Sequence, residues 1–193
     1  MERQDAQELA AFIPYWLATR KIIDRHNTLD AIPNIIGIEK TEFLQTINDH
    51  AQSEGYDSPL ILEEVADLMI FALQMLYRLG HDLTCLLKET PPADHTSLAH
   101  AIDSIREHSD LLLESSHIHR EMEKTLSEIT RSLLAALLGF CSLLQVSAVH
   151  VTYSKAEYIK HAMPEEIWSQ SNLPPADEFS IARKQSKDYQ QDH

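Results

Sequence analysis

The segment "LILEEVADLMIFALQML", residues 60–76, decides the fold. It is apolar enough to be the core helix of a bundle, yet it carries carboxylates at Glu63, Glu64 and Asp67. At about 100° per residue, Glu64 and Asp67 share a stripe of the helix with core-type side chains. An ionised carboxylate withdrawn from water costs several kcal/mol unless a cation compensates it. The segment therefore predicts a buried helix whose acidic edge binds a cation.

The composition favours one globular domain with a divalent cation as its companion. The chain has 193 residues and is 44% hydrophobic, which is enough for a core. Its net charge of −14 argues against a nucleic-acid polymer or an anionic membrane as a partner. The two cysteines form no C-x-x-C motif, and "MERQDAQELA" does not resemble a secretory signal. We therefore expect a cytoplasmic protein.

The pattern of the chain predicts an all-α fold. Glycine is scarce, and no stretch alternates polar and apolar residues at a period of two. Five helical stretches are predicted, over residues 14–25, 39–53, 59–79, 97–115 and 120–161. Pro33 and Gly37 separate the first two, and Gly139 is the expected bend in the last. Residues 1–165 are expected to form the domain, and residues 166–193 a C-terminal arm or a disordered tail.

One stretch, residues 132–154, is long and apolar enough to span a bilayer. Polar side chains such as Ser142 and Gln145 interrupt it, and neither an aromatic belt nor a basic flank frames it. We expect a buried bundle helix here and no membrane partner.

A second acidic pair precedes the core segment. In "IEKTEF", Glu39 and Glu42 lie three residues apart, so they share one face of the predicted helix over 39–53. A solvated first turn, stabilised by the helix dipole, is an alternative explanation for this pair. Acid pairs at this spacing are about as frequent in the chain as chance predicts, so the apolar surroundings of Glu64 and Asp67 are the stronger signal.

The two acidic pairs are not automatically level with each other. A short connection at residues 54–59 makes the two helices an antiparallel hairpin, in which the start of the first faces the end of the second. Glu39 and Glu42 would then lie far from Glu64 and Asp67 along the hairpin. Either the loop is longer than predicted, or the helices pack at a steep angle.

These acids carry a family resemblance. E-x-x-E at Glu39 and Glu42, then E-x-x-D at Glu64 and Asp67 followed by "LMIFALQMLYRLGHDL", resembles the all-α nucleoside triphosphate pyrophosphohydrolase superfamily of MazG and the dimeric dUTPases. The similarity covers residues 39–87. It implies a four-helix-bundle core with additional helices, assembled as a homodimer or homotetramer.

The resemblance also implies a function. Such a protein would hydrolyse a nucleoside triphosphate to the monophosphate and pyrophosphate, as nucleotide-pool house-cleaning, with Mg²⁺ or Mn²⁺ as cofactor. The implied metal ligands are Glu39, Glu42, Glu64 and Asp67. Glu42 and Glu64 would be the catalytic residues, with Glu42 positioning the attacking water. Hard oxygen ligands suit these ions, and no glycine-rich phosphate loop is present to replace them.

Three further residues are candidates for binding the substrate. "LLGF" and "VTYSKAEYIKH" are similar to the segment in which family members place a lysine, an asparagine and an arginine near the phosphates. Lys155 matches, whereas Tyr158 and His161 stand where the other two are expected. Arg78 is the nearest basic residue on the acidic helix, and Trp16 can stack a nucleobase or pack in the core.

The missing asparagine and arginine favour a competing hypothesis. In it, the chain is a helical interaction protein on the same scaffold that binds metal or nucleotide without turnover. Zinc and di-iron sites fit less well, because H-E-x-x-H is absent and only Glu114 and His117 form an E-x-x-H motif. The eleven histidines are expected on the surface.

Overall fold

A computed structural model describes residues 2–115, 123–170 and 178–192, and within these ranges it is helical with no strand. This confirms the predicted all-α class. The helices are α1 (Glu2–Thr19), α2 (Lys21–His26), α3 (Ile32–Glu54), α4 (Pro59–Arg78), α5 (Leu83–Glu89), α6 (Leu98–Ser115), α7 (Glu123–Leu143), α8 (Ala148–Ala162), α9 (Glu165–Trp168) and α10 (Glu178–Asp192). The four-helix-bundle type and the oligomeric state remain predictions.

Helix α4 is the centre of the core, as residues 60–76 predict. Pro59 stands in its first turn, where a missing N–H breaks no helical hydrogen bond, and Leu79 follows its last residue. Eleven of its residues are buried, and it packs against α1, α3, α5, α7 and α8. The other helices are arranged around this one, so the acids on α4 lie where several elements meet.

Helix α3 begins at Ile32, seven residues before the predicted start at Glu39. Pro33 lies in its first turn, where proline is tolerated, and Gly37 continues the helix instead of ending it. Glu39 and Glu42 are therefore inside the helix. The alternative of a solvated first turn for this pair is wrong.

The N-terminal helix is also longer than predicted. Helix α1 runs from Glu2 through Pro14 to Thr19, whereas the sequence predicts a start near Pro14. Leu9 and Ile13 are fully buried, so packing of this face offsets the hydrogen bond that Pro14 removes. A break at Arg20 then separates α1 from α2.

The predicted helix over 120–161 is two helices in its described part, since residues 120–122 lie outside the described ranges. Helix α7 continues through Gly139 to Leu143, so the chain does not break at this glycine; the bend there remains a prediction. The break comes at residues 144–147, where Gln145 has a φ of 58°. The Ser147 side chain then accepts a hydrogen bond from the His150 N–H and caps α8.

Helix α7 contains most of the stretch that is long enough for a membrane span. By length and composition it is the one candidate among the described residues, and 44% of its most apolar window is buried inside the protein. Leu133, Leu137 and Phe140 are fully buried, and the Phe140 ring packs edge-on against Phe43 of α3 at 5.7 Å. These contacts are those of a core helix; the absence of a membrane partner remains a prediction.

The stretch predicted as an arm or a disordered tail is helical at residues 166–168 and 178–192. Trp168 of α9 is fully buried, and its indole N–H donates to the Ser186 hydroxyl of α10. Residues 171–177 and 193 lie outside the described ranges. The division of the chain at residue 165 remains a prediction.

Gly139 has a packing role that can be tested. A Cβ added there would lie 2.6 Å from the Ala93 carbonyl oxygen and 2.7 Å from His95 Cδ2, closer than such contacts allow. We expect Gly139→Ala to lower the free energy of unfolding by about 1–3 kcal/mol, measured by urea denaturation. Gly37→Ala is the control, because its Cβ would meet only Leu113 at 3.5 Å, and the gain in helix propensity is about 1 kcal/mol. Equal stability of the two variants would contradict this account.

Candidate metal centre

Three of the four predicted acids converge between α3 and α4. Glu39, Glu64 and Asp67 each offer a carboxylate oxygen, and these three oxygens lie within 4.8 Å of one another. The loop between the helices has only four residues, Gly55 to Ser58, so the longer-loop alternative is wrong. The convergence of the acids is then explained by a steep angle between α3 and α4 and by the length of the glutamate side chains.

Burial and mutual repulsion raise the pKa of all three carboxyls. For Glu39 the pKa rises to about 7, first through burial and then through the charges of Asp67, Glu42 and Glu64. The pKa of Glu64 is raised by burial and by Asp67. Burial also raises the pKa of Asp67, although a nearby ammonium opposes it. Three carboxylates this close favour either a shared proton or a bound cation.

One oxygen of the cluster is without a partner. Glu64 Oε2 is buried, and among the described residues it accepts no hydrogen bond. An orphaned buried acceptor costs about 1–3 kcal/mol, and more when the group is charged. The carboxylate set and this orphaned oxygen fit a hard divalent cation such as Mg²⁺ or Mn²⁺, which prefers oxygen ligands.

Glu42 lies at the rim of the cluster. Its side chain is exposed, and it is not one of the three acids whose oxygens converge. Its charge nevertheless contributes to the raised pKa values of Glu39, Glu64 and Asp67. The arrangement therefore separates an inner group of three acids from an outer glutamate that faces water.

Lys155 of α8 is the cation that the structure places against the cluster. Its ammonium donates to Glu63 Oε1 at 2.5 Å and lies 3.0 Å from Asp67 Oδ2. Burial lowers the pKa of Lys155, but the charges of Asp67 and Glu63 outweigh this, and the net shift is upward. Lys155 therefore balances part of the acidic charge. Glu63, which the sequence places only on the flank of the acidic stripe, holds this lysine through a hydrogen bond.

A cavity of about 490 Å³ opens beside the acids. Glu39 and Asp67 line one part of it, and most of its remaining wall is apolar. The apolar wall includes Phe12, Trp16, Ile70, Phe71, Met163 and Phe179. A cavity of this size, lined by two acids and by several aromatic rings among its apolar side chains, can hold a small molecule that has a charged end and a flat apolar body.

A buried amide pair lies in the same wall. Asn27 Nδ2 donates to Gln74 Oε1 at 2.9 Å, and Gln74 is 1% exposed. This bond leaves Asn27 Oδ1 and Gln74 Nε2 as an acceptor and a donor for a ligand. Sequence reasoning missed the pair; a glutamine inside the apolar stretch of α4 was the signal that could have found it.

The remaining two predicted residues lie in different places. Trp16 is 3% exposed and lines the cavity, with its ring stacked on Phe12 at 5.4 Å. Arg78 is not among the lining residues, and its guanidinium donates to the backbone and side-chain oxygens of Asp24 at 2.8 and 2.9 Å. The Trp16 ring at the cavity wall is thus contacted by Phe12 and also by Arg20, whose Cζ lies 4.7 Å from the ring centroid, whereas Arg78 makes a structural contact.

Comparisons with known proteins give no family assignment. No protein-family model matches the chain, and no curated protein and no solved structure is significantly similar to it. The family resemblance therefore remains a prediction from the two acidic motifs.

The raised pKa of Glu39 predicts how stability changes with pH. Because the folded protein holds this proton up to about pH 7, whereas an ordinary glutamate loses it near 4.5, stability without divalent metal should fall as pH rises between these values. Glu39→Gln should flatten this part of the curve, measured by thermal unfolding in EDTA from pH 4.5 to 8. A parent curve that rises across the same window, or one that Glu39→Gln leaves unchanged, would contradict the assignment.

Proposed function

We propose that the chain is a Mg²⁺-dependent nucleoside triphosphate pyrophosphohydrolase that releases pyrophosphate and a nucleoside monophosphate. The observation that carries this proposal is the convergence of Glu39, Glu64 and Asp67 at the edge of an aromatic cavity. A nucleoside triphosphate has the matching chemistry, because its phosphates bind divalent cations and its base is flat and partly apolar. The resemblance of the two acidic motifs supports the same reaction. We further propose a cytoplasmic homodimer or homotetramer that acts in nucleotide-pool house-cleaning.

The inner acids are the proposed metal ligands. Glu39, Glu64 and Asp67 would hold Mg²⁺ through their carboxylate oxygens, with Mn²⁺ as a substitute, and Glu42 would complete the set at the rim. Such an ion, when bound, would neutralise the charge of the phosphate oxygens. Asp67 is also held by Lys155, which fixes its side chain near the other acids.

Glu42 is the proposed group for positioning water. Its exposed side chain lies beside the inner acids and is reachable from solvent. The oxygen of this water would attack the α-phosphorus and lose its proton to Glu42. The bond from that phosphorus to the bridging oxygen would break, and its electron pair would leave with pyrophosphate.

Lys155 and the cavity wall are the proposed substrate contacts. Lys155 would donate to a phosphate oxygen from its place beside Asp67, replacing its contact with Glu63. Trp16 would pack against the nucleobase, and the free donor and acceptor of Asn27 and Gln74 would meet its polar edge.

A second candidate function is binding without turnover. Lys155 already pairs with Asp67 and Glu63, and no asparagine or arginine follows it at the positions that the resemblance requires. A helical protein with these features would bind metal and nucleotide and transmit their presence to a partner.

Product analysis tests the proposed reaction. We expect pyrophosphate and one monophosphate from a panel of dNTPs and NTPs with Mg²⁺, activity also with Mn²⁺, and none with EDTA. Release of orthophosphate in place of pyrophosphate would contradict the proposed point of attack. Stabilisation by Mg²⁺ and nucleotide without any product would favour the binding function.

Glu64→Gln separates the role of the site from that of the fold. The variant keeps the size of a side chain that is only half-buried, so we expect thermal stability within about 5 °C of the parent. Turnover should fall at least about 100-fold, because a proposed metal ligand loses its charge. Glu107→Gln, an exposed glutamate on α6, is the matched control and should keep parental activity. Full activity in Glu64→Gln would remove this site from the proposal.

A further inference from the structure

The C-terminal helix α10 contributes one side chain to the cavity beside the acids. Phe179, in the first turn of α10, lines the cavity together with residues of α1, α2, α3, α4 and α8. We propose that α10 is a cover for this cavity and that Phe179 is the side chain that closes it and contacts the bound ligand. The identity of that ligand as a nucleotide rests on the proposed function, whereas the cover itself does not.

The contacts of Phe179 hold it at the cavity from two sides. Its ring packs edge-on against His26 of α2 at 5.6 Å and against Trp168 of α9 at 5.1 Å. His26 also lines the cavity, and Trp168 is fully buried. Phe179 itself is 37% exposed and lines the cavity, so these two neighbours cover only part of its ring. A side chain at this place can separate the cavity from bulk water.

A buried charge fixes the position of α10. Glu178 is 2% exposed, and its carboxylate accepts a hydrogen bond from the Arg25 guanidinium at 2.5 Å, with His26 Nε2 at 4.0 Å. The Arg25 side chain is 41% exposed, so only the carboxylate of this pair is buried. Desolvation of that carboxylate offsets much of the attraction, but the hydrogen bond is strongly directional. The pair therefore serves better to place Phe179 over the cavity than to stabilise the fold.

A few contacts along one face anchor the rest of α10. Its buried side chains are Glu178, Ala182 and Ser186, which repeat every four residues and bury little apolar area. Ser186 accepts a hydrogen bond from the Trp168 indole, and Tyr189 is partly buried against the core. A helix of 15 residues is marginal without tertiary packing, so its stability depends on these contacts. Local detachment of α10 is then much less costly than unfolding of the core, which is what a cover needs in order to open.

The chemistry of the covered space defines the ligand that Phe179 would meet. Besides the carboxylates of Glu39 and Asp67, the cavity is lined by Trp16 and by the amide pair of Asn27 and Gln74. A second aromatic side chain suits a planar heteroaromatic ring, whose faces pack on aromatic groups and whose edge forms hydrogen bonds. Phe179 would therefore contact the base and leave the phosphates to the acidic side.

Two measurements on the whole chain test the proposal. The test variants are Phe179→Ala and Glu178→Gln, and the control is Gln185→Ala. Gln185 is an exposed residue of the same helix. The first measurement is acrylamide quenching of Trp16 fluorescence in the absence of nucleotide. Because Trp168 also fluoresces, its contribution is measured separately in the same variants with Trp16→Phe added. We expect both test variants to increase the quenching of Trp16, which is 3% exposed in the parent, and Gln185→Ala to leave it unchanged.

The second measurement is steady-state kinetics with Mg²⁺ and the dNTP or NTP that the parent hydrolyses best. We expect Phe179→Ala to raise KM about tenfold with kcat nearly unchanged, because the lost contact is with the base and not with the reacting phosphorus. A structural role alone would not produce this division between KM and kcat. Gln185→Ala should keep both parental values.

The outcomes distinguish the cover from the proposed function. Unchanged quenching in both test variants would overturn the cover, whatever the activity of the protein. Increased quenching with an unchanged KM would overturn the contact between Phe179 and the ligand. Increased quenching in a protein that neither binds nor hydrolyses any nucleotide of the panel would support the cover and remove the nucleotide as its ligand.

Discussion

The close approach of three half-buried carboxylates is the constraint on which the rest of this structure depends. Glu39, Glu64 and Asp67 repel one another and lose hydration, and both effects raise their pKa values. Folding must supply compensation, because the packing of α3 against α4 fixes these acids at the edge of the core. Lys155 supplies one positive charge, and a proton on Glu39 lowers the repulsion further. A divalent cation would compensate the remaining charge.

The surrounding helices add a basic side chain and an aromatic wall to the three acids. The acids lie on α3 and α4, Lys155 comes from α8, and the aromatic wall comes largely from α1, α4 and α10. The same cavity is lined by Glu39 and Asp67 and by aromatic side chains, with a buried amide pair in its wall. This combination of groups is why we propose a nucleoside triphosphate, and not a metal ion alone, as the full ligand.

The sequence predicted the features that depend on local patterns. The apolar run with acids on one stripe placed α4 correctly, because helical periodicity and its Pro59 start are both local signals. The same local rules failed at Pro33 and Gly37, both of which lie inside a helix. Proline in a first turn and glycine under a close neighbour are compatible with a helix, and only tertiary packing decides between a break and a continuation.

The candidate site was predictable only in part for the same reason. The two acidic motifs pointed to Glu39, Glu64 and Asp67, and the late segment pointed to Lys155. The cavity could not be predicted, because its lining residues Asn27, Gln74 and Phe179 come from the end of α2, from α4 and from α10. Arg78 shows the opposite case, since a charge close by in sequence turns to Asp24 and does not line the cavity.

Manganese binding, followed by the electron paramagnetic resonance signal of free Mn²⁺, tests the central claim that these acids form a divalent-metal site. Metal-free parent protein should remove Mn²⁺ from solution with saturation, and Glu64→Gln should weaken this binding at least about tenfold. Added Mg²⁺ should release the bound Mn²⁺, because both ions prefer the same oxygen ligands. Equal Mn²⁺ binding by parent and Glu64→Gln, or no saturable binding at all, would contradict the account.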